Sequence, residues 1–395
     1  KAILGGNNIP NGWVETTLGE VVDSANTGLD AIKRAPIVEE ETGIKCFRVQ
    51  DASQKKKYNN WGNTKVEDKN YQKFRLVKGD ILIARTGNTI GVNHLVKEDI
   101  KAVFNNGLIR LRVNNSCDYT FLYKIIESRL FDRYVQSIAY GTSTQPNMKI
   151  NVLLGFDLLL PPIKEQVAIA KILTAFDDKI ELLQAQNKIL ETTAQTIFKE
   201  WFGKYQIGDE LPDGWRVGKL GDIIDIFDSK RIPLSKAERE EKKGEFRYYG
   251  ATSVMDYIDE YLFDGIYLLF SEDGSVIDDN GNPFLQYVWG QFWVNNHTHI
   301  LQGRNGYSTE MLYVLCKKMR VAGIVNGAVQ LKINQNNLLN FEVVIPDEGT
   351  LSKFDKTIQP LFMKLRLNND EIQTLKKIRD TLLPKLMSGE LRVKL

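Results

Sequence analysis

The side chains best suited to chemistry in this sequence are few. His297 and His299 stand two apart, a spacing that puts both imidazoles on one face of a strand, where they could hold a divalent metal. A protein zinc site takes three or four ligands, and the chain has only 3 histidines and no cysteine near this pair. A structural or surface role fits the pair better than a metal-dependent enzyme. Glu272-Asp273 beside Gly274 offers two carboxylates, but no nuclease pattern accompanies them, and a solvated turn explains them. No glycine-rich loop ends in Gly-Lys-Ser/Thr, and no GxGxxG follows a strand. Leu160-Pro-Pro-Ile163 lacks the amide that a tetrapeptide for adenine amino-methylation requires. The expectation is a chain with no active site and no cofactor of its own.

The remaining chemistry is that of recognition. The segment Tyr140–Asn147, followed by Lys149, carries Thr142, Ser143, Gln145 and Asn147. Amides of this kind contact adenine through two hydrogen bonds, as arginine or lysine contacts guanine. Arg85 and Asn88 flank Gly87 in a Gly-bounded loop, and Lys55, Lys56 and Lys57 run into Tyr58 and Trp61, a combination that could grip phosphate. In the second half the candidates are Gln330, Lys332, Lys230, Arg231, Arg247 and Arg304. Each also has a plainer explanation: a polar loop before a strand, a tight turn, a solvated charge run.

These candidates occupy corresponding places because the chain contains itself twice. Gln145–Trp201 lies on Gln330–Leu386 without a gap, at an offset of 185 (330 minus 145). Ile9–Asp23 lies on Leu211–Asp225 at an offset of 202 (211 minus 9), so 17 net residues are missing inside the second half. The halves agree at their openings and tails and differ between. A period this long marks a duplicated domain rather than a solenoid. Each half reads as mixed α/β. Phe74–Arg85 is expected to be two β-rich runs about a turn at Lys78-Gly79-Asp80. Phe121–Tyr140 has helical spacing, with Met311–Met319 as its counterpart.

The tails are rods. Ile169, Leu173, Phe176, Ile180, Leu183, Asn187, Leu190, Ala194, Ile197 and Trp201 alternate spacings of four and three, a heptad seam. Its copy runs Phe354, Ile358, Leu361, Leu365, Asn368, Ile372, Leu375, Arg379, Leu382, Leu386, with Pro360 expected to kink or restart the helix and Pro384 to disturb its last turn. Each seam has one asparagine, at non-equivalent positions. Antiparallel pairing of the two rods is expected, with the seam residues as the pairing and partner-docking positions and the globular halves related by a pseudo-two-fold axis.

Composition narrows the class. Apolar content of 43% and charged content of 26% are those of ordinary globular protein, and the 395 residues suffice for two domains. The longest apolar run, residues 152–163, is too short to cross a bilayer, and with no basic-then-apolar opening no signal peptide is expected. The 3 cysteines are far apart, which fits a reducing cytoplasm. Residues 1–162 carry 22 basic against 17 acidic side chains, and residues 211–346 carry 14 against 18. The first half suits a polyanion. In the acidic second half a nucleic-acid face must be local, and Lys230, Arg231, Lys236, Arg239, Lys242, Lys243 and Arg247 form such a cluster among glutamates.

The order of these features resembles the specificity (S) subunit of type I restriction–modification systems. The resemblance rests on the Pro-x-Gly-Trp openings (Pro10–Trp13, Pro212–Trp215), Gly79-Asp-Ile-Leu-Ile-Ala-Arg-Thr-Gly87, Ser271-Glu-Asp-Gly274, Gly141–Pro146, Leu160-Pro-Pro-Ile-Lys-Glu-Gln166 and the ending Thr381–Leu391. The second half departs from it at Leu331 and Leu351, which stand where the first has Pro146 and Gln166. It implies an α+β chain: target-recognition domains at 1–160 and 205–346, helical spacers at 161–204 and 347–395. It also implies two DNA half-sites and partner modification and restriction subunits, on which S-adenosylmethionine, ATP and Mg would reside. The competing reading is a duplicated coiled-coil scaffold for protein partners without DNA readout.

Overall fold

The computed structural model describes residues 9–139, 147–327 and 331–394. Both Pro-x-Gly-Trp openings are tight turns. Trp13 N–H donates to the Pro10 carbonyl and Trp215 N–H to that of Pro212, each at 3.0 Å. The glycine between adopts φ +84° at Gly12 and +81° at Gly214, a region that other residues enter only with strain. The strand that follows, Val14–Thr17, pairs antiparallel with Asp157–Leu160, Val14 opposite Leu160. In the second half Arg216–Lys219 pairs with Glu342–Ile345, Arg216 opposite Ile345. The two repeat blocks, which carry different offsets, are therefore the two strands of one ribbon in identical register.

The divergent middles share a topology that their sequences conceal. In the first half a four-stranded sheet has the order Val22–Thr27, Leu108–Val113, Ile81–Ala84, Asn93–Leu95, and a smaller one the order Ile37–Val38, Gly62–Thr64, Lys45–Phe47, Ala102–Phe104. The second half has one six-stranded sheet: Ile224–Ile226, Thr298–Gly303, Phe263–Ser271, Leu285–Val294, Lys243–Tyr249, Val254–Ile258. The single strand Leu285–Val294 pairs with the central strand and also runs parallel to Lys243–Tyr249. In the first half those two tasks fall to Asn93–Leu95 and Ala102–Phe104, separated by residues 96–101.

Two expectations for the first half are corrected. The run before Lys78 is not a strand: Asp68–Phe74 is a helix, and only Ile81–Ala84 is extended. Its turn is shaped by Gly79 at φ +89° and by Asp80, fully buried, which accepts the Val77 N–H at 2.9 Å and both Nε (2.7 Å) and Nη2 (2.9 Å) of Arg112. The helical stretch near Phe121 divides into Tyr119–Ile126 and Arg129–Ala139, with the Asp118 carboxylate capping the first.

The rods are single helices of 40 residues, Ile163–Phe202, and 41 residues, Glu348–Ser388. No seam position on either is exposed. The second helix passes through Pro360 and Pro384 without restarting. Each proline deprives the carbonyl four residues back of its N–H, but residues 356 and 380, like the prolines, are exposed, so water can satisfy those carbonyls.

By contacts the chain divides into residues 1–180 with 374–395, and residues 181–373, so each helix contributes a part to each unit. The first unit's core joins Ile81, Ile109, Phe121 and Phe156 to Ile169 and Leu173 of one helix and Leu386 of the other, and Arg379 Nη1 meets Asp177 Oδ1 at 2.6 Å. In the second unit Leu268, Phe270 and Leu312 pack with Ala194 and with Phe354, Ile358 and Phe362. There Phe354 meets Phe198, Trp201 and Phe202, while Asn368 meets Asn187. Numbers rise along one helix as they fall along the other, so this pairing is antiparallel.

Candidate nucleic-acid interface

The two halves bring their candidates to one place, the end of the central strand. In the first unit this strand is followed by Arg85, whose carbonyl accepts the Met148 N–H at 2.8 Å while Thr86 bridges to Asn147. In the second the Glu272 carbonyl accepts the Ile333 N–H at 2.8 Å while Asp273 bridges to Lys332. Met148 and Ile333 are fully buried, so an apolar anchor fixes each crossing segment. Asn147 and Lys332 are 185 apart, the offset of the tail repeat.

The side chains at these equivalent points differ in kind. Arg85 Nη2 donates to Asn147 Oδ1 at 2.9 Å. Among the described residues its Nε is buried without an acceptor, and no carboxylate lies within ion-pair reach of the guanidinium. Beside it Asn88 is exposed, and Gly87, at φ +71°, has open space where a side chain would be. Gly91 is different: a Cβ there would stand 3.3 Å from Val135, so its role is packing. Lys149 is exposed at the start of the short helix Ile150–Leu153.

Glu272 stands instead at the centre of an ion cluster. Arg231 Nη1 meets it at 2.6 Å and Lys332 Nζ at 3.1 Å. The buried ring of His299 gives Nδ1 to Asp228 Oδ2 at 2.6 Å and Nε2 to the Ile333 carbonyl at 2.8 Å. Burial works against the Glu272 carboxylate, but the Arg231 guanidinium, the His299 ring and Lys332 outweigh it and hold its pKa below the ordinary carboxylate range. Asp228, Glu272 and His299 bring their donor atoms within 4.8 Å of one another, the reach of a metal site. Arg231 already supplies the cation there, and both nitrogens of His299 are engaged, so these residues do not fit a metal. His297 does not join them; its Nδ1 meets Asp273 Oδ1 at the half-exposed rim.

The other candidates divide by what holds them. Arg231 also donates to the Thr298 carbonyl at 2.9 Å, and Arg304 to the Asp222 and Gly221 carbonyls, with Asp225 at 3.4 Å. Both arginines therefore have intramolecular partners that brace the fold. The basic cluster of the second half is largely neutralised by its neighbours: Lys242 meets Glu260 and Lys243 meets Asp256, each at 2.8 Å, and Arg239 meets Asp256 at 3.4 Å. Lys230 is exposed, and the half-buried Arg247 reaches the Tyr249 hydroxyl at 3.4 Å. Lys55 and Lys57 are exposed and Lys56 pairs with Asp51 at 3.6 Å. Trp61 is buried against Phe47 and gives its indole N–H to the Lys56 carbonyl, so it shapes this loop and cannot stack on a base. Thr142, Ser143, Gln145 and Gln330 lie outside the described residues.

Sequence reasoning missed the groups that tie the globular parts to the helices. Trp13 Nε1 donates to Glu165 Oε2 at 3.1 Å and Trp215 Nε1 to Asp347 Oδ2 at 3.1 Å, so each opening tryptophan is fastened to an acid at the start of the long-helix segment. Arg392 closes on Glu165 with Nε at 2.6 Å and Nη2 at 2.8 Å. Gln166 uses its whole amide, accepting the Asp118 N–H at 2.8 Å and donating to the carbonyls of Ser116 and Pro161. Its counterpart Leu351 is buried among apolar side chains, so the second half meets the same position by packing. A Pro-x-Gly-Trp occurring twice was the available signal for the tryptophans; nothing in the sequence pointed to Arg392.

The repeated frame is matched by comparison with known proteins. The model of the type I restriction modification DNA specificity domain covers residues 10–192 and again 212–377. The chain belongs to that family. Among family relatives, the type I restriction enzyme MjaIX specificity subunit of Methanocaldococcus jannaschii is 29% identical, over 80% of this chain and 78% of that protein. The putative MjaX specificity subunit of the same organism is 23% identical over 98% and 95%. The crystal structure of the S subunit from a type I restriction–modification system of M. genitalium shares the fold, with a TM-score of 0.61 at 21% identity over 96% of this chain and 97% of that one. The two family matches divide at residues 193–211, where the first long helix gives way to the second Pro-x-Gly-Trp turn.

Proposed function

We propose that this chain is the DNA-specificity component of a type I restriction–modification complex, each globular half reading one part of a split target. The observation that carries this is the constancy of the frame around a variable strand end. Ribbon, anchor and helix keep their register in both halves, while the residues at the strand end between them change from Arg85 and Asn147 to Glu272 and Lys332. A frame kept constant while the surroundings of its strand end vary suits two readers of two different sequences.

On this reading the chain performs no catalysis and holds no cofactor. Modification subunits bring S-adenosylmethionine and methylate adenine, and restriction subunits bring ATP and Mg, in the cytoplasm where the DNA is. Among the described residues no helix is long and apolar enough to cross a membrane. The seam residues Ile169, Leu173, Phe176, Ile180, Leu190, Ile358, Leu361, Leu365, Leu375 and Leu382 are buried or half-buried, which suits helix pairing; docking falls to the opposite face, where Leu182, Ile189, Met363 and Leu367 are exposed.

Exchange of residues 24–140 for the corresponding segment of a relative tests the proposal. One half of the methylated sequence should change and the other stay; a change in both defeats modular reading. The self-neutralised cations of the second half favour a rival, a protein scaffold that leaves DNA alone. Sequence-selective binding that weakens steeply with salt excludes it.

A further inference from the structure

The two strand ends hold opposite charges in the same backbone setting, and we infer that Arg85 is a specificity-determining residue that reads a guanine in the first unit's half-site. The inference rests on the proposed reading of DNA by this chain.

Three observations carry it. The first is position: Arg85 and Glu272 are fixed by the same pair of backbone links, from Met148 and Asn147 in one unit and from Ile333 and Lys332 in the other. The second is charge. Glu272 is answered by Arg231 and Lys332, and Arg231 also faces Asp228, so two carboxylates meet two permanent cations and the corner is closed and internally neutral. Arg85 is answered by no carboxylate among the described residues, and a half-buried guanidinium without a counter-charge is suited to a ligand that supplies acceptors.

The third is geometry. Asn147 Oδ1 takes one N–H of Nη2, and Nε is buried. Among the described residues Nη1 and the second N–H of Nη2 meet no acceptor, and two guanidinium donors match O6 and N7 of guanine in the major groove. Phosphate needs no such fixing, and exposed Lys55, Lys57 and Lys149 serve it on flexible stems. Gly87, with open space in place of a side chain, leaves room for a duplex to approach the strand end. Asn147 is then a positioning residue, and Glu272 has no base to read.

The test is selection of a randomised double-stranded DNA library by the full chain, comparing wild type with Arg85→Lys, Arg85→Gln and Asn147→Ala. Arg85→Lys keeps charge and stem, which makes it the variant least disturbing to the fold. Expected is a split motif for wild type and, for both Arg85 variants, loss of a roughly 10- to 100-fold preference for one G·C pair in one half only. Asn147→Ala should weaken the same preference and no other. The inference fails, and the DNA reading stands, if the Arg85 variants keep every base preference. It fails equally if they bind all sequences more weakly with a shallower salt dependence, the mark of a phosphate contact. Enrichment of no sequence by the wild type overturns both.

Discussion

Replacing Asp80 with alanine should unfold the first unit well before the second. Asp80 is fully buried and is the acceptor for three donors, Val77 N–H and two nitrogens of Arg112, with Arg110 Nη1 3.9 Å away. Without the carboxylate the Val77 N–H loses its partner, which costs about 1–3 kcal/mol if water cannot reach it. Arg110, only 5% exposed, keeps the carbonyl of Arg75 and the amide of Asn26 but no negative charge. Arg112 is more exposed and recovers part of its loss by hydration, so its share is discounted. The sum for removing one partner of a buried ionic group is about 3–5 kcal/mol. At about 2–4 °C per kcal/mol for a body of 150–250 residues, the first unit's melting should fall by roughly 6–20 °C. Calorimetry of the full chain would show this as one transition moving and one staying. A double-mutant cycle with Arg112→Ala should give a coupling of about 1–3 kcal/mol. A loss below about 1 kcal/mol for Asp80→Ala, or a coupling near zero, would refute the view that this carboxylate organises the turn before the central strand.

Other outcomes follow from the helices and the ribbon. Asn368 is fully buried with its Oδ1 unpartnered, so the pair Asn187→Leu and Asn368→Leu should be neutral to stabilising by about 1–2 kcal/mol in a denaturant melt; marked destabilisation would show that the amides are needed for pairing. The Arg392 guanidinium, with help from Trp13, holds the Glu165 carboxyl below its ordinary value of 4.5. A depressed carboxylate adds stability above its unfolded pKa and loses it as pH falls through the folded one, so the wild type should lose stability below about pH 4.5 more steeply than Arg392→Ala. Parallel acid limbs would contradict this. Adding one heptad to each long helix should widen the unspecified gap in the methylated sequence by about three base pairs, from roughly 10 Å of added helix. An active variant with the original gap would show that the helices do not set it.

The periodic parts of the fold were legible in the sequence, and the contingent parts were not. The seam from Ile169 to Trp201 and its copy declare themselves because packed helices demand an apolar residue every three to four positions, and every such position is indeed sheltered. The ribbon could be recognised as two matched blocks, though not that they pair, since strand pairing between positions as distant as Val14 and Leu160, or Arg216 and Ile345, leaves no local mark. Pro360 and Pro384 misled because the cost of proline depends on whether the orphaned carbonyl faces water, which depends on tertiary placement. The shared topology of the middles was hidden because backbone pairing tolerates replacement of nearly every side chain. At the candidate site Arg85 was visible close to Gly87, and Asn147 at the end of a polar run. The Glu272 cluster was not, because its members come from positions 228, 231, 272, 299 and 332, separated by up to 41 residues between neighbours in sequence.

The division of the chain has a consequence for how it is made. The second unit is one uninterrupted stretch, residues 181–373, whereas the first recruits residues 374–395. Leu386 is buried in the first unit's core and Arg392 grips Glu165 beside Trp13. On a ribosome, which delivers the chain from the N-terminus, the half synthesised first is therefore the half completed last. It must wait for residues 374–395 to emerge, while the later-made half, which needs the second helix only as far as residue 373, can close without them. A nascent chain halted after residue 373 would carry a finished second unit and an unfinished first. Damage to the final helical turns should accordingly be felt at Trp13, at the opposite end of the sequence.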